Sequence, residues 1–205
     1  VKAHVLGTPV DRDQLIFQNA DDTYSLGIGT TSSEKFICIY IGKTVSDEQR
    51  CASVDNPTIF TVLAPRERDL LYGADHVGDH WVIRTNWQAP NYRLMTLPDS
   101  ATGAGKAAWK DIVPHSDSVF IEGFQPFDQY LAIEERSGGN KRLRLLGNDG
   151  KSAFVEADEP AYSMALSTNA ETNTDWVRYT YNSLTTPSTV IEANMKTGER
   201  KTLKV

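Results

Sequence analysis

Apolar and polar positions alternate along this chain in short segments, and the same order of segments recurs four times. Each repeat begins with a short strand, passes through a polar turn into a strongly apolar strand, and then reaches a third strand of alternating character. The predicted first strands are at 24–27, 71–74, 120–123 and 162–165, the second at 36–40, 81–83, 130–133 and 176–179, and the third at 50–54, 92–97, 142–146 and 189–193. No segment shows a helical stripe, so the pattern predicts antiparallel meanders.

The repeats recur about every 40 to 50 residues, the interval typical of four-stranded propeller blades. A single meander cannot cover its own apolar face, whereas meanders arranged radially cover one another. We therefore predict an all-β fold, a partial β-propeller of about four four-stranded antiparallel blades with the remnant of a preceding blade. The chain is taken as one domain, with the remnant at 1–18 and blades at 19–65, 66–114, 115–157 and 158–205. It begins and ends in the middle of this architecture, so we expect it to be cut from something larger.

Turn residues separate the predicted strands. Gly occurs with Asn or Asp where a hairpin must close, as at Gly78-Asp79 and Gly147-Asn148, because positive φ or side-chain-to-backbone bonding makes the bend. The longest irregular stretch, from Pro98 to Ala108, is predicted to be an exposed loop between the third and fourth strands of one blade.

Composition narrows the class of protein. The 205 residues are 40% hydrophobic and 23% charged, and no apolar run approaches the roughly 18 residues of a membrane span. The formal charge of −6 disfavours a nucleic-acid partner and suits cationic ligands. Val1 to His4 lacks the basic and apolar pattern of a signal peptide.

The two cysteines, Cys38 and Cys51, fall on predicted neighbouring strands of one hairpin. They could approach each other, but two cysteines do not make a disulfide framework in a chain of this length. We expect buried free thiols, which suits a reducing compartment.

Candidate chemistry is sparse. The chain has no G-x-S-x-G turn, and neither cysteine lies at a predicted helix start that would lower a thiol pKa. Asp75-His76-Val77-Gly78-Asp79-His80 contains metal-ligand types, but Val77-Gly78-Asp79 falls at a predicted hairpin turn, where capping or turn formation would explain the aspartate. His4 and His115 are isolated and are expected to make ordinary hydrogen bonds.

Other charged and glycine-rich segments favour structural roles. Neighbouring strand residues point to opposite faces, so carboxylate pairs such as Glu134-Glu135 should not share a substrate, and we expect them to be solvated. The further members of this group are Asp21-Asp22, Asp158-Glu159, the basic segments Arg66, Arg68 and Lys141-Arg142-Leu143-Arg144, and the glycine pairs Gly27-Ile28-Gly29 and Gly103-Ala104-Gly105. In 141–144 we expect arginines toward solvent or a neighbouring blade, with Leu143 and Leu145 inside. We assign no catalytic, cofactor-binding or metal-binding residue.

Eight short segments share their order with one family. They are Leu6-Gly7-Thr8-Pro9, Ala64-Pro65-Arg66, Asp75-His76-Val77-Gly78-Asp79, Ile112-Val113-Pro114-His115, Glu122-Gly123-Phe124, Glu134-Glu135-Arg136, Asp158-Glu159-Pro160-Ala161-Tyr162 and Ser183-Leu184-Thr185-Thr186-Pro187-Ser188. In this order and spacing the chain resembles the oligopeptidase B (protease II) branch of the prolyl oligopeptidase family of serine peptidases. The resemblance covers essentially the whole chain.

The resemblance implies the second half of a seven-bladed propeller that covers an α/β-hydrolase domain. It implies a cytoplasmic parent enzyme that cleaves short peptides after Lys or Arg without a cofactor, while the propeller limits access. The family's catalytic Ser, Asp and His fall outside this chain, which should be inactive alone. The expected partners are that hydrolase domain and short basic peptides, with no nucleic acid or membrane, and the open blade faces could self-associate. The alternative is a propeller scaffold that binds protein partners and has no enzymatic role.

Overall fold

The computed structural model describes residues 1–205, which form β-strands, short 3-10 helices and connecting turns, with no α-helix. The strands are β1 (Lys2–Ala3), β2 (Gln14–Leu15), β3 (Ser25–Thr30), β4 (Phe36–Lys43), β5 (Ser46–Ser53), β6 (Thr61–Ala64), β7 (Tyr72–Val77), β8 (His80–Thr85), β9 (Arg93–Pro98), β10 (Lys110–Val113), β11 (Phe120–Pro126), β12 (Tyr130–Ser137), β13 (Asn140–Gly147), β14 (Ser152–Phe154), β15 (Tyr162–Leu166), β16 (Trp176–Ser183), β17 (Thr189–Asn194) and β18 (Arg200–Lys204). The 3-10 helices are Val10–Arg12, Asp99–Ala101 and Lys106–Ala108. None of them has the length and apolar character that a membrane crossing requires.

The strands form consecutive antiparallel meanders. The first blade is β3-β4-β5-β6, the second is β7-β8-β9-β10, the third is β11-β12-β13-β14 and the fourth is β15-β16-β17-β18. β1 and β2 pair with each other ahead of the first blade. The all-β, partial-propeller fold class is therefore confirmed, while the division into domains and the blade boundaries inside the loops stay predictions.

The third and fourth blades are not separate sheets. A single parallel bridge between Lys141 of β13 and Ser163 of β15 joins the third and fourth blades into one continuous sheet. The first strand of the fourth blade therefore contacts the third blade through its backbone as well as through side chains.

The apolar core lies between neighbouring blades. One cluster joins the first and second blades around Leu63, Trp81 and Leu97, and another joins the third and fourth around Leu143 and Tyr179. A smaller cluster joins the second and third blades. Since each blade covers the apolar face of the next, the stacking expected from the sequence is what buries these side chains.

The turn chemistry matches the sequence expectation at the hairpin between β7 and β8. Gly78 has a φ of 59°, in the left-handed region that a residue without a side chain enters most easily. Asp79 completes this two-residue turn and is exposed. The predicted loop at 98–108 instead contains two 3-10 helices, and its Thr102 accepts a hydrogen bond from Trp81 Nε1 at 3.0 Å.

The prediction of free thiols is wrong in this structure, because Cys38 and Cys51 form a disulfide. The two residues face each other directly across the β4–β5 hairpin, with Cα atoms 4.1 Å apart. Both are buried, on the side of the first blade that packs against the second. Cross-strand register brings the sulfur atoms together, which the segment pattern alone did not determine.

Candidate functional site

The first strands of the first three blades, β3, β7 and β11, lie at sheet edges, whereas β15 of the fourth blade is bridged to β13. β11 of the third blade contacts β7 and β8 of the second blade. Gln125 Nε2 of β11 donates to Ser32 Oγ, in the loop after β3, at 3.2 Å, so the first and third blades touch past the second. We call the first strands of the four blades, β3, β7, β11 and β15, the inner wall, and the candidate functional site is this wall with the contacts that hold the blades together.

The side-chain amide of Gln49 holds the first blade to the second, because it makes the pair of hydrogen bonds that a neighbouring strand would make. Gln49 Nε2 donates to the carbonyl of Ala74, and its Oε1 accepts from the Ala74 N–H, each at 2.9 Å. The Tyr72 hydroxyl donates to the Ala64 carbonyl at 2.7 Å and accepts from the Gln49 N–H at 2.7 Å. Burial raises the pKa of Tyr72 to about 12, so this hydroxyl stays protonated and keeps its donor.

A buried histidine adds a second contact at the same junction. His76 is fully buried, with Nδ1 2.7 Å from Ser33 Oγ and Nε2 2.8 Å from Asp99 Oδ1. Burial lowers the pKa of His76, so the neutral ring donates from Nε2 to Asp99 and accepts at Nδ1 from Ser33. The bonds therefore tie loops of the first and second blades to the ring.

The hydrogen-bonded residues Ser33, His76 and Asp99 are of the types found in a hydrolytic triad, but the serine hydroxyl is occupied by several other contacts. Ser33 Oγ also accepts from Lys35 N–H at 3.3 Å and lies 3.0 Å from Thr31 Oγ1. A nucleophilic serine must reach a substrate carbonyl, which these contacts oppose. The arrangement serves as a clamp between loops.

The metal-like segment at 75–80 is divided by its strand and turn. Asp75 lies in β7 and accepts from the Ser32 N–H at 2.8 Å and from the Ser32 hydroxyl. His76 points into the clamp, whereas Asp79 and His80 are exposed at the turn. No group of three His, Cys, Asp or Glu side chains is arranged to hold a metal ion.

An arginine holds the second blade to the third. Arg84 Nε donates to the Ile121 carbonyl at 2.8 Å, and the guanidinium carbon lies 3.5 Å from the centre of the Tyr92 ring. Asn91 Nδ2 donates to the Ser116 carbonyl at 2.9 Å. A stacked and hydrogen-bonded guanidinium is well suited to a partly dry interface, so this junction is polar and specific.

The carboxylates of Glu134 and Glu135 were expected to be solvated, and the structure shows that they are not. Glu134 accepts a hydrogen bond from the Leu166 N–H of the fourth blade, and burial raises the pKa of its carboxyl. Glu135 is only 2% exposed and lies between Arg142 and Arg144 of β13. The two side chains do point to different partners, as strand geometry requires, but neither is a solvated surface group.

The other sequence candidates have ordinary surroundings, with one exception. His4 Nδ1 lies 2.7 Å from Asp13, and Asp158 pairs with Arg200 at 2.8 Å. Leu143 and Leu145 are buried as expected. His115 does not make the ordinary hydrogen bonds expected of it, since its Nε2 is buried without a partner.

Comparison with known proteins assigns the fold to a family. The model of the prolyl oligopeptidase N-terminal β-propeller domain matches residues 1–205. The chain belongs to this peptidase family. Within the prolyl oligopeptidase family, it is 53% identical over 205 residues to dipeptidyl aminopeptidase BI of Pseudoxanthomonas mexicana, covering 100% of this chain and 28% of that protein.

Two further comparisons agree. Protease 2 of Moraxella lacunata is 31% identical over 203 residues, covering 98% of this chain and 29% of that protein. The structure of oligopeptidase B from Trypanosoma brucei, in a closed form with covalently bound antipain, superposes with a TM-score of 0.88 at 23% identity, covering 99% of this chain and 30% of that one. This chain therefore spans less than a third of the length of these relatives, and its own residues form part of a propeller.

Sequence reasoning missed the residues that hold the wall. Gln49, Tyr72 and Arg84 carried no recognisable signal, because their partners lie on other blades and no local spacing reveals such a contact. For Glu135, a sequence signal was present. This residue faces Arg142 across the β12–β13 hairpin, and the turn at Gly138-Gly139 would have set that register.

Proposed function

We propose that this chain is a non-catalytic wall of a serine peptidase, which limits access to a hydrolase domain located elsewhere in the full-length protein. The supporting observation is that successive blades are tied together by buried and half-buried side chains, within a chain that matches a peptidase propeller from end to end. Such clamps favour a rigid barrier. We expect the 205-residue chain alone to cleave no peptide.

The proposed substrates are short peptides cleaved after Lys or Arg, without a metal or organic cofactor. The similarity to a protease 2 supports a peptidase of this kind. The net charge of −6 supports cationic peptides, since an acidic surface raises their local concentration.

A second candidate activity is the release of dipeptides from a free amino terminus. The relative that is 53% identical carries the name dipeptidyl aminopeptidase. Both activities use the same gated chamber and differ in whether the substrate's α-amino group is recognised.

The discriminating experiment measures kcat/KM of the full-length protein on one basic peptide with a free amino terminus and on the same peptide acetylated there. Cleavage of both after Lys or Arg supports the oligopeptidase activity, and loss of the acetylated substrate supports dipeptide release. Cleavage of neither contradicts the proposed peptidase function.

Gating is tested with a variant in which the first junction is weakened, Gln49→Ala with Tyr72→Phe. We expect the full-length variant to gain activity on a longer, unfolded protein substrate while kcat/KM for a short peptide stays within about twofold, since short peptides already enter. Arg178→Gln, at an ion pair with Glu192 of the fourth blade, is the control. An unchanged size limit in the weakened variant would argue against a gate at this wall.

Cytoplasmic placement stays a prediction from the family resemblance. The Cys38–Cys51 disulfide supports the opposite proposal, an oxidising compartment in which such a bond persists. Thiol labelling of the protein taken directly from its native cells distinguishes the two.

A further inference from the structure

Two cavities open between the second and third blades, and one of them is lined by two arginines. This cavity, of about 410 Å³, is called the inter-blade pocket here. Its lining includes Val113 and His115 at the end of β10, Glu135 of β12, and Arg142 and Arg144 of β13. Phe154 of β14 forms part of the outer wall.

The pocket has more positive than negative side chains. Arg142 Nε donates to Glu135 Oε1 at 2.9 Å and its Nη2 lies 2.7 Å from the same oxygen, while Arg144 Nε donates to Oε2 at 2.9 Å. One buried carboxylate thus orients two guanidinium groups. A formal charge of +1 is left over, in a protein whose net charge is −6.

Donors remain available for a ligand. Neither Nη atom of Arg144 donates to a protein atom, and the side chain is 20% exposed at the pocket. Guanidinium groups bind carboxylate and phosphate oxygens in a fixed, forked geometry. The unused edge of Arg144 is therefore a suitable place for one oxyanion.

His115 gives an independent indication. Its Nε2 is buried and has no hydrogen-bond partner, although buried polar atoms are rarely left in that state. Its other ring nitrogen lies 3.9 Å from the fully exposed Asp117, which is too far for a hydrogen bond. A ligand oxygen would supply the missing acceptor for Nε2 after a small turn of the ring toward the pocket, since this atom is closed to solvent as the ring stands.

Part of the remaining wall is apolar. Val113, Ile121 and Phe154 line the pocket, and the Arg142 guanidinium carbon lies 4.2 Å from the centre of the Phe154 ring. This stacking holds Arg142 toward the aromatic wall. A ligand with an aliphatic group next to its anionic group would fit these surfaces better than a bare ion.

We propose that the inter-blade pocket binds a small oxyanion with an aliphatic substituent, its oxygens received by Arg144 and His115. The chemistry is that of a peptide's terminal carboxylate or of a small organic acid, and inorganic phosphate shares the anionic part. The site is separate from the proposed gating role, because its anion-binding side chains lie on β13 and in the loop after β10.

The test is calorimetric titration of the full-length protein with N-acetyl-leucine, N-acetyl-leucine amide and inorganic phosphate. We expect N-acetyl-leucine to bind and its uncharged amide to fail. Phosphate binding without N-acetyl-leucine binding would support the oxyanion site but overturn the aliphatic part. Failure of both anions, or equal binding of acid and amide, overturns the proposal.

Substitutions of Arg144 and His115 test whether these residues bind the ligand. Arg144→Gln should weaken N-acetyl-leucine binding about tenfold or more, since a charged hydrogen bond is lost. His115→Leu should weaken it as well, and it serves if Arg144→Gln does not fold. Arg178→Gln is the matched control and should bind as the parent protein does. Unchanged affinity in both pocket variants would place the ligand elsewhere.

Discussion

Single polar side chains do much of the joining between blades. Gln49 bonds both backbone groups of Ala74 and so continues the hydrogen-bonding pattern of a sheet across a gap between two sheets. Arg84 plays a similar part at the next junction through the Ile121 carbonyl. Because these groups are buried or half-buried, their removal leaves unpaired partners, so substitution should cost more than the contact itself is worth.

The Tyr72→Phe variant tests this at one oxygen atom. The N–H groups of Gln49 and Ala64 both donate to the Tyr72 hydroxyl and would lose their acceptor in a buried site. We expect the free energy of unfolding to fall by about 1–3 kcal/mol in urea denaturation. Tyr162→Phe, whose ring stacks on Tyr181, is the control and should change stability less. Equal losses in the two variants would contradict the assigned role.

His76 predicts a dependence of stability on pH. Its folded-state pKa lies below the ordinary value of about 6.5, so the unfolded chain takes up the proton first as pH falls. Stability from this group is complete above about pH 6.5, declines as pH falls through the lowered folded-state pKa, and levels off below it. Asp99, Asp75, Lys35 and His80 surround the ring.

The measurement compares thermal midpoints of the protein and of His76→Gln between about pH 7.5 and about pH 5. The loss of stability on acidification should be smaller in the variant, because the titrating ring is gone. Glu134, whose pKa is raised by burial, acts in the opposite direction and is common to both proteins. Parallel pH profiles for the two proteins would exclude His76 as the cause.

At the scale of elements, the sequence pattern predicted strands better than it predicted their surroundings. Alternation and turn residues are local, and the strands at 130–137 and 176–183 begin at the predicted residues. The burial of Glu135 depends on Arg142 and Arg144 across a hairpin, and the contact of Gln49 with Ala74 depends on two blades meeting. Tertiary contacts of this kind leave no period in the sequence, so the fold was predictable and the clamps of the candidate site were not.

The β4–β5 hairpin carries the one covalent link in the fold. Cys38 and Cys51 are 13 residues apart, and closing a loop of this size restricts the unfolded chain. We expect Cys38→Ala with Cys51→Ala to lower the free energy of unfolding by about 2–4 kcal/mol, measured in urea. A reducing agent should destabilise the parent protein and leave the double variant unaffected. Full thiol labelling of unreduced, denatured protein would show that the bond does not form.

At the scale of the whole molecule, the first blade presents an apolar inner edge with no neighbour in this chain. Leu26 and Ile28 of β3 are 44% and 59% exposed, and strand register places them on the face opposite Cys38. Exposed apolar groups on an edge strand promote association. We expect the 205-residue chain to self-associate at micromolar concentration in sedimentation velocity experiments.

Leu26→Lys with Ile28→Lys should shift that equilibrium toward the monomer. Leu184→Lys, at a loop residue that is 96% exposed, is the matched control and should change association little. Association that persists in the double variant would place the contact on another surface, such as the outer face of the fourth blade.

The net charge of −6 predicts a salt effect on the proposed peptide cleavage by the full-length protein. If the charge of −6 steers basic peptides, their kcat/KM should fall several-fold as ionic strength rises from about 0.02 to about 0.3 M, because screening shortens the reach of the field. A neutral peptide of the same length should show little change. A rate for the basic peptide that is independent of salt would remove steering from the mechanism.

The hydrogen bonds of Ser32 restrict how the blades of this propeller can move apart. Asp75 of the second blade and Gln125 of the third both hold this residue of the first, so three successive blades meet at one hydroxyl group. Moving any one of these blades away from the other two would break at least one hydrogen bond at Ser32. We therefore expect these blades to move as one rigid sector, with the hinge for any widening of the passage lying outside them.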